Sequence, residues 1–128
     1  MRLLLDTHAL IWWAEGNARL GERARLEVAA PGNEIYVSAI SAMEIATKFR
    51  LGKLPDVRRL AEHFEAEVEA EGFAPLALSL SHARLAGSLP IAHKDPFDRM
   101  LIAQALSEGM SLVSNEEVFD EFGVSRIW

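Results

Sequence analysis

The chain has 128 residues, half of them hydrophobic and a quarter charged, an ordinary globular composition long enough for one domain, residues 1–128, to bury a core without staples. It contains no cysteine, which excludes disulfides and thiolate metal sites. Its 13 Lys+Arg against 19 Asp+Glu leave a net charge of -6, which argues against a protein that coats nucleic acid through bulk positive charge. It does not exclude an enzyme that meets nucleic acid at one local site. No apolar run approaches the roughly 20 residues of a membrane helix, and the opening run Met1 to Leu5 is broken by Asp6 too early for a secretory signal. A soluble, cytoplasmic protein is expected.

In chain order, Arg2 to Leu5 reads as a short strand that feeds a helix, Ala9 to Ala14, through the junction Asp6-Thr7. Glu15-Gly16-Asn17 is a turn, Glu22 to Ala30 a second helix, and Pro31-Gly32-Asn33 its stop. The β-branched and aromatic run Glu34 to Val37 is a second strand, followed by a helix from Ser38 to Arg50 that ends near Gly52. Val57 to Gly72 is an amphipathic helix, with Val57, Leu60, Ala61, Phe64 and Val68 on one face and Glu62, Glu65 and Glu69 solvated on the other. Pro75 to Leu78 is a third strand and Ser81 to Gly87 a short helix. Asp95 to Glu108 is the central helix, with Asp95 as N-cap, Pro96 at the first helical position and Asp98 in the first turn, where exposed amides favour an anion. Ser111 to Val113 is a fourth strand, Glu116 to Phe122 a last short helix, and Val124 to Trp128 a fifth strand. Strands alternating with helices predict a three-layer α/β/α sandwich around a parallel sheet of four to five strands, with ligands bound beyond the carboxyl ends of the strands.

Four acids fall at that edge. Asp6 follows the first strand, Glu44 lies one turn into the segment after the second, Asp98 opens the helix leading into the fourth, and Glu116 comes just past it. Each also has a plain structural reading: Asp6 can cap the first helix, and both Ser41-Ala42-Met43-Glu44 and Ser114-Asn115-Glu116-Glu117 match a capping box. Four carboxylates in one crevice would repel one another, however, and a divalent cation is the natural counter-charge. Oxygen ligands without Cys or a paired His motif favour Mg²⁺ or Mn²⁺ over Zn²⁺. Around them, Thr7 and Ser114 either orient water through their hydroxyls or cap helices, and His93 is either structural or a contact to the substrate. Lys48 forms an i,i+4 pair with Glu44 or joins Arg50, Lys53 and Arg99 as a basic rim for a phosphate backbone. Trp12 and Trp13 read as core or dimer contacts.

Asp6-Thr-His-Ala, Glu44-Ile-Ala-Thr-Lys48 with Gly52-Lys53-Leu54, His93-Lys-Asp-Pro-Phe-Asp98-Arg-Met-Leu-Ile-Ala-Gln-Ala and Gly123-Val-Ser-Arg-Ile-Trp128 together resemble a PIN-domain ribonuclease of the VapC toxin type over nearly the whole chain. That resemblance implies a PIN-like α/β/α fold and a Mg²⁺- or Mn²⁺-dependent endoribonuclease acting as the toxin of a toxin–antitoxin pair. It also implies inhibition by a cognate VapB-like antitoxin. A homodimer is the expected assembly. The family's acids map onto Asp6, Glu44 and Asp98; its fourth, an Asp within a Thr/Ser-x-Asp stretch, is Glu116 here, one methylene longer, with Asn115 as the alternative ligand. A non-catalytic RNA- or protein-binding module with a degraded fourth ligand is the competing expectation. A phosphoryl receiver, which also places an Asp after its first strand, fits less well because Asp6 has no acidic neighbour.

Overall fold

The computed structural model describes residues 1–128. Its centre is strand β1 (Arg2–Leu5), flanked on one side by β2 (Glu34–Ser38) and β3 (Ala74–Leu76) and on the other by β4 (Ser111–Val113) and β5 (Arg126–Ile127). All pairings are parallel, in the order β3-β2-β1-β4-β5, with Leu3 opposite both Ile35 and Ser111. The chain thus builds outward from β1 to β3 and then crosses back to place β4 on the other side. The reversal of strand order lies between β1 and β4, and a doubly wound sheet has its binding crevice beyond such a point.

Both faces of the sheet are covered, so Leu3, Leu4 and Leu5 are all buried with no alternation of polar residues. Leu3, Leu5, Ile35 and Val37 pack with helices α1 (Thr7–Glu15), α2 (Glu22–Ala29), α4 (Arg58–Glu62) and α5 (Phe64–Ala70). Leu4 and Leu112 face the opposite core, formed with α7 (Pro96–Glu108) and the 3-10 helix Glu117–Phe122. Helix α3 (Ala39–Arg50) serves both cores, through Ile45 in the first and Ile40 in the second, and α6 (Leu80–Ser88) packs beside α7. Trp12 stands edge-on to Trp128 and Trp13 leans on Phe73, with its indole N–H donated to Glu71 at 3.0 Å; both tryptophans belong to the first core's margin. No helix is long and apolar enough to cross a membrane.

The α/β/α architecture and the five strands are as expected, with some local differences. The amphipathic segment is not one helix: a 3-10 turn, Pro55–Val57, leads into α4, and His63, at φ -129° and ψ 37°, breaks the path before α5. The apolar positions keep helical spacing on both sides of the break, so periodicity does not mark it. Arg59 bridges it through Glu67 at 2.6 Å. The last helix is 3-10 rather than α.

Candidate active site

Asp6 ends β1, where its amide still donates to the Val113 carbonyl of β4 at 3.0 Å, and its carboxylate accepts the Ala9 N–H at 2.8 Å as the cap of α1. That capping role is real but does not account for its environment. With 5 % of its surface exposed, the carboxyl is pushed up to about 6, chiefly by burial. Hydrogen bonding from Ser114 and Ala9 and the nearby His8 oppose the rise, whereas the charge of Asp98 adds to it.

Asp98 is not the cap of its helix. Asp95 accepts the N–H groups of Phe97 and Asp98, which frees the Asp98 side chain to meet His93, with Nε2 to Oδ2 at 3.0 Å. Burial raises the Asp98 carboxyl; His93 counters, and the charges of Asp95 and Glu44 raise it further. His93 is itself held edge-on against Phe119 and Phe122.

Glu44 is likewise released from the capping box expected for it. The helix begins at the start read from the sequence, with Ser38 as its cap accepting the Ile40 N–H at 3.0 Å, and Ser41, three residues on, instead shares a buried hydroxyl contact of 3.0 Å with Thr7. Glu44 is therefore a buried acid in mid-helix, paired with Lys48. The second expected box also fails to form: Ser114 accepts the Glu116 N–H, two residues on, in a tight turn.

Asp6, Asp98 and Glu44 thus stand within electrostatic reach of one another, Asp6 with Asp98 and Asp98 with Glu44. Glu116 and Asn115 are both exposed on the loop after β4, and the Glu116 side chain has no recorded partner. As the side chains lie, no three His, Asp or Glu residues are gathered closely enough to enclose a metal ion. The donor set nonetheless suits a hard divalent cation, since buried carboxyls raised by burial and mutual charge favour a counter-ion and offer only oxygen. Of the expected basic rim, Arg50 and Lys53 are exposed. Arg99 is a correction: its guanidinium donates to the carbonyls of Ala86, Leu89, Ile91 and His93, so it clamps the loop before α7 and is spent on backbone.

Sequence reasoning passed over Gln104 and His82. Gln104 is fully buried; its Oε1 accepts from Ser38 and its Nε2 donates to the Ala77 carbonyl, which ties the end of β2 to α7. His82 accepts the Ser79 N–H at Nδ1 and meets Glu108 at Nε2, 2.9 Å away. A lone polar residue in the apolar run Met100 to Ala105 was the available signal for Gln104. Beside the start of α3 an apolar groove of about 790 Å³ runs between Phe64 and Val68 of α5 and Phe73, Pro75 and Leu76, with Glu65 and Glu69 on its rim.

A family model described as PIN domain matches residues 3–124. The chain belongs to the PIN-domain family. It is 30 % identical over 121 residues to Ribonuclease VapC22 of Mycobacterium tuberculosis (strain ATCC 25618 / H37Rv), covering 89 % of this chain and 86 % of that protein. Among solved structures the PIN fold recurs in VapBC2 from Rickettsia felis bound to a DNA fragment from their promoter. That match has a TM-score of 0.68 and 16 % identity over the full length of both chains. DNA-bound VapBC from Salmonella typhimurium matches with a TM-score of 0.62 and 21 % identity, covering 98 % of this chain and 96 % of that one. In this PIN domain Asp6 follows β1, Glu44 lies in α3 after β2 and Asp98 stands in the first turn of α7, while Glu116 is exposed on the loop after β4.

Proposed function

We propose that this PIN domain, acting as one domain of 128 residues in the cytoplasm, is a metal-dependent endoribonuclease and the toxin of a toxin–antitoxin pair. The observation that carries the reading is the buried Asp6 carboxyl at about 6 with Asp98 and then Glu44 in electrostatic sequence behind it. A chain that sets two buried acids and a half-buried third within electrostatic reach at a sheet's switch point suits them to chemistry beyond their local caps and pairs. The 30 % identity to a ribonuclease supplies the substrate class.

In this reading Asp6, Glu44 and Asp98 hold Mg²⁺ or Mn²⁺, with Glu116, or Asn115 in its stead, reaching in from the rim. The bound ion supplies charge for the phosphoryl oxygens and a water made nucleophilic at neutral pH. With a water so activated, hydrolysis of the phosphodiester would need no covalent protein intermediate. His93 holds Oδ2 of Asp98 and thereby fixes which carboxylate edge faces the crevice. Arg50 and Lys53, both exposed, are the basic side chains available to meet a ribose-phosphate backbone. Incubating purified protein with total RNA, with and without Mg²⁺, tests the activity: cleavage that requires the ion and vanishes in Asp98→Asn is expected, and metal-independent cleavage or none refutes it.

The apolar groove between α5 and β3 is where we place the cognate VapB-like antitoxin, with its apolar segment against Phe64, Val68 and Phe73 and a basic side chain at Glu65 and Glu69. Exposed apolar side chains, above all Leu80 at 92 %, offer surface for a homodimer. Co-expression of the adjacent reading frame should restore growth. A second reading, a non-catalytic RNA- or protein-binding module, draws on the dispersed acids and the exposed Glu116. Calorimetric titration with Mn²⁺ separates the two, because the module would take up no ion at these acids.

A further inference from the structure

Glu44 and Lys48 look at first like a routine i,i+4 helix pair, which between exposed groups adds little. Their burial is unequal, and that changes the argument. The Glu44 side chain is 5 % exposed and the Lys48 side chain 31 %, with Nζ 2.5 Å from Oε2. Lys48 is the one recorded partner of that carboxylate. No buried side-chain oxygen in the protein lacks a partner, so the second oxygen of Glu44 is not sealed from solvent. Its charge is felt at Asp98. The ammonium of Lys48 therefore sits where a buried acid of the candidate metal set meets solvent, and it neutralises a group that would otherwise be an unpaired buried charge.

A lysine at that place competes directly with a cation for the same carboxylate. In this structure Glu44 is paired with that internal counter-charge. The stem of Lys48 is long, flexible and already partly in solvent, so leaving Glu44 requires no rearrangement of α3. Arg50 and Lys53, near it in the chain, are both exposed.

Building on the metal-dependent nuclease reading, we propose that Lys48 is an exchangeable positioning residue: its ammonium holds Glu44 in the metal-free protein, then moves outward and binds a phosphate of the RNA once Glu44 serves as a metal ligand. The exchange couples the two binding events, because each cation site that Glu44 joins releases one basic group to the substrate.

The test compares wild type, Lys48→Met, Lys48→Arg and the double variant Glu44→Gln/Lys48→Met. Calorimetry with Mn²⁺ on the RNA-free proteins should show Lys48→Met binding the ion roughly three- to tenfold more tightly than wild type, because a competing charge is gone. The same variant should raise KM for an RNA substrate by a similar factor while kcat changes less than about twofold, since a ground-state phosphate contact is what it loses. Lys48→Arg should recover much of the KM. Metal-free Lys48→Met should melt below wild type, and the double variant should melt at or above wild type, which separates an unpaired Glu44 charge from lost packing. If wild type binds Mn²⁺ and Lys48→Met binds it equally or more weakly, or if KM does not move, the exchange is wrong and the nuclease reading stands. If wild type takes up no Mn²⁺, the nuclease reading fails and the exchange with it.

Discussion

Asp6→Asn should stabilise the metal-free protein, and the gain should depend on pH. Raising the Asp6 carboxyl from 3.8 to about 6 corresponds to about 3 kcal/mol borne by its ionised form at neutral pH. The sign follows from proton binding. Between pH 4 and 6 the folded protein holds a proton at Asp6 that the unfolded chain has released, so stability falls as pH rises through this window and levels off above it. Below pH 4 both states are protonated and the penalty is absent. Asparagine removes the charge without removing the cap, because Asn is as good an N-cap as Asp and its Oδ1 can accept the same Ala9 N–H. Relief from the Asp98 charge works in the same direction. After allowance for the less complete solvation match of a buried amide, a net gain of about 1 to 3 kcal/mol is expected above pH 7. Urea unfolding of both proteins with EDTA, followed from pH 4 to 8, measures it: the two curves should converge near pH 4 and separate up to pH 6. Equal or lower stability of Asp6→Asn at pH 7.5, or a difference that is constant across the range, would show that the carboxyl is not held against its burial.

Asp6→Asn, Glu44→Gln and Asp98→Asn should each abolish RNA cleavage and growth inhibition, whereas Glu116→Gln, at an exposed position, should lower cleavage less and Glu116→Asp should keep or raise it. Mg²⁺ should raise the melting temperature of wild type by mass action and that of Asp98→Asn much less, and without metal Asp98→Asn should gain a little stability, since charge relief is opposed by the loss of about 0.3 to 1 kcal/mol of helix-start attraction. Arg99→Lys should destabilise the protein by about 1 to 3 kcal/mol in urea, because an ammonium cannot reach the four carbonyls, one in α6 and three in the loop after it, that the guanidinium spans. Gly21→Ala should cost about 1 to 3 kcal/mol, since the added Cβ would lie 2.7 Å from the backbone of Trp128.

The parts of this molecule that could be read in advance are those whose physics is local. Asp95-Pro96 starts a helix in any context, and the structure uses Asp95 as the cap, which is what leaves Asp98 free to act as something else. The strand Arg2–Leu5 ending on Asp6-Thr7 is local in the same sense. The capping boxes mislead because Ser-x-x-Glu states a possible helix start but not where the preceding strand lets go. Ser38 is still paired in β2, in register with Leu76, and its extended backbone makes it the last residue before α3, at the helix start read from the sequence and three positions ahead of the capping-box Ser41. That displacement carries Glu44 from a surface cap into mid-helix and so from a bland role to a buried charge.

What stayed illegible depends on partners without a side-chain signature. Arg99 beside an acidic motif reads as a phosphate ligand, and nothing in the sequence says that four backbone carbonyls between residues 86 and 93 will take its hydrogen bonds. Yet this loss to the basic rim serves the same site by another route. One of those carbonyls belongs to His93, whose ring is held between Phe119 and Phe122 and whose Nε2 meets Asp98. Arg99 is the next residue after Asp98, so one turn of α7 carries both the acid and the clamp that holds the acid's partner in place. A charge that on an exposed rim would be screened by solvent ions is used instead, through four backbone carbonyls, to hold in place the segment that carries the partner of Asp98.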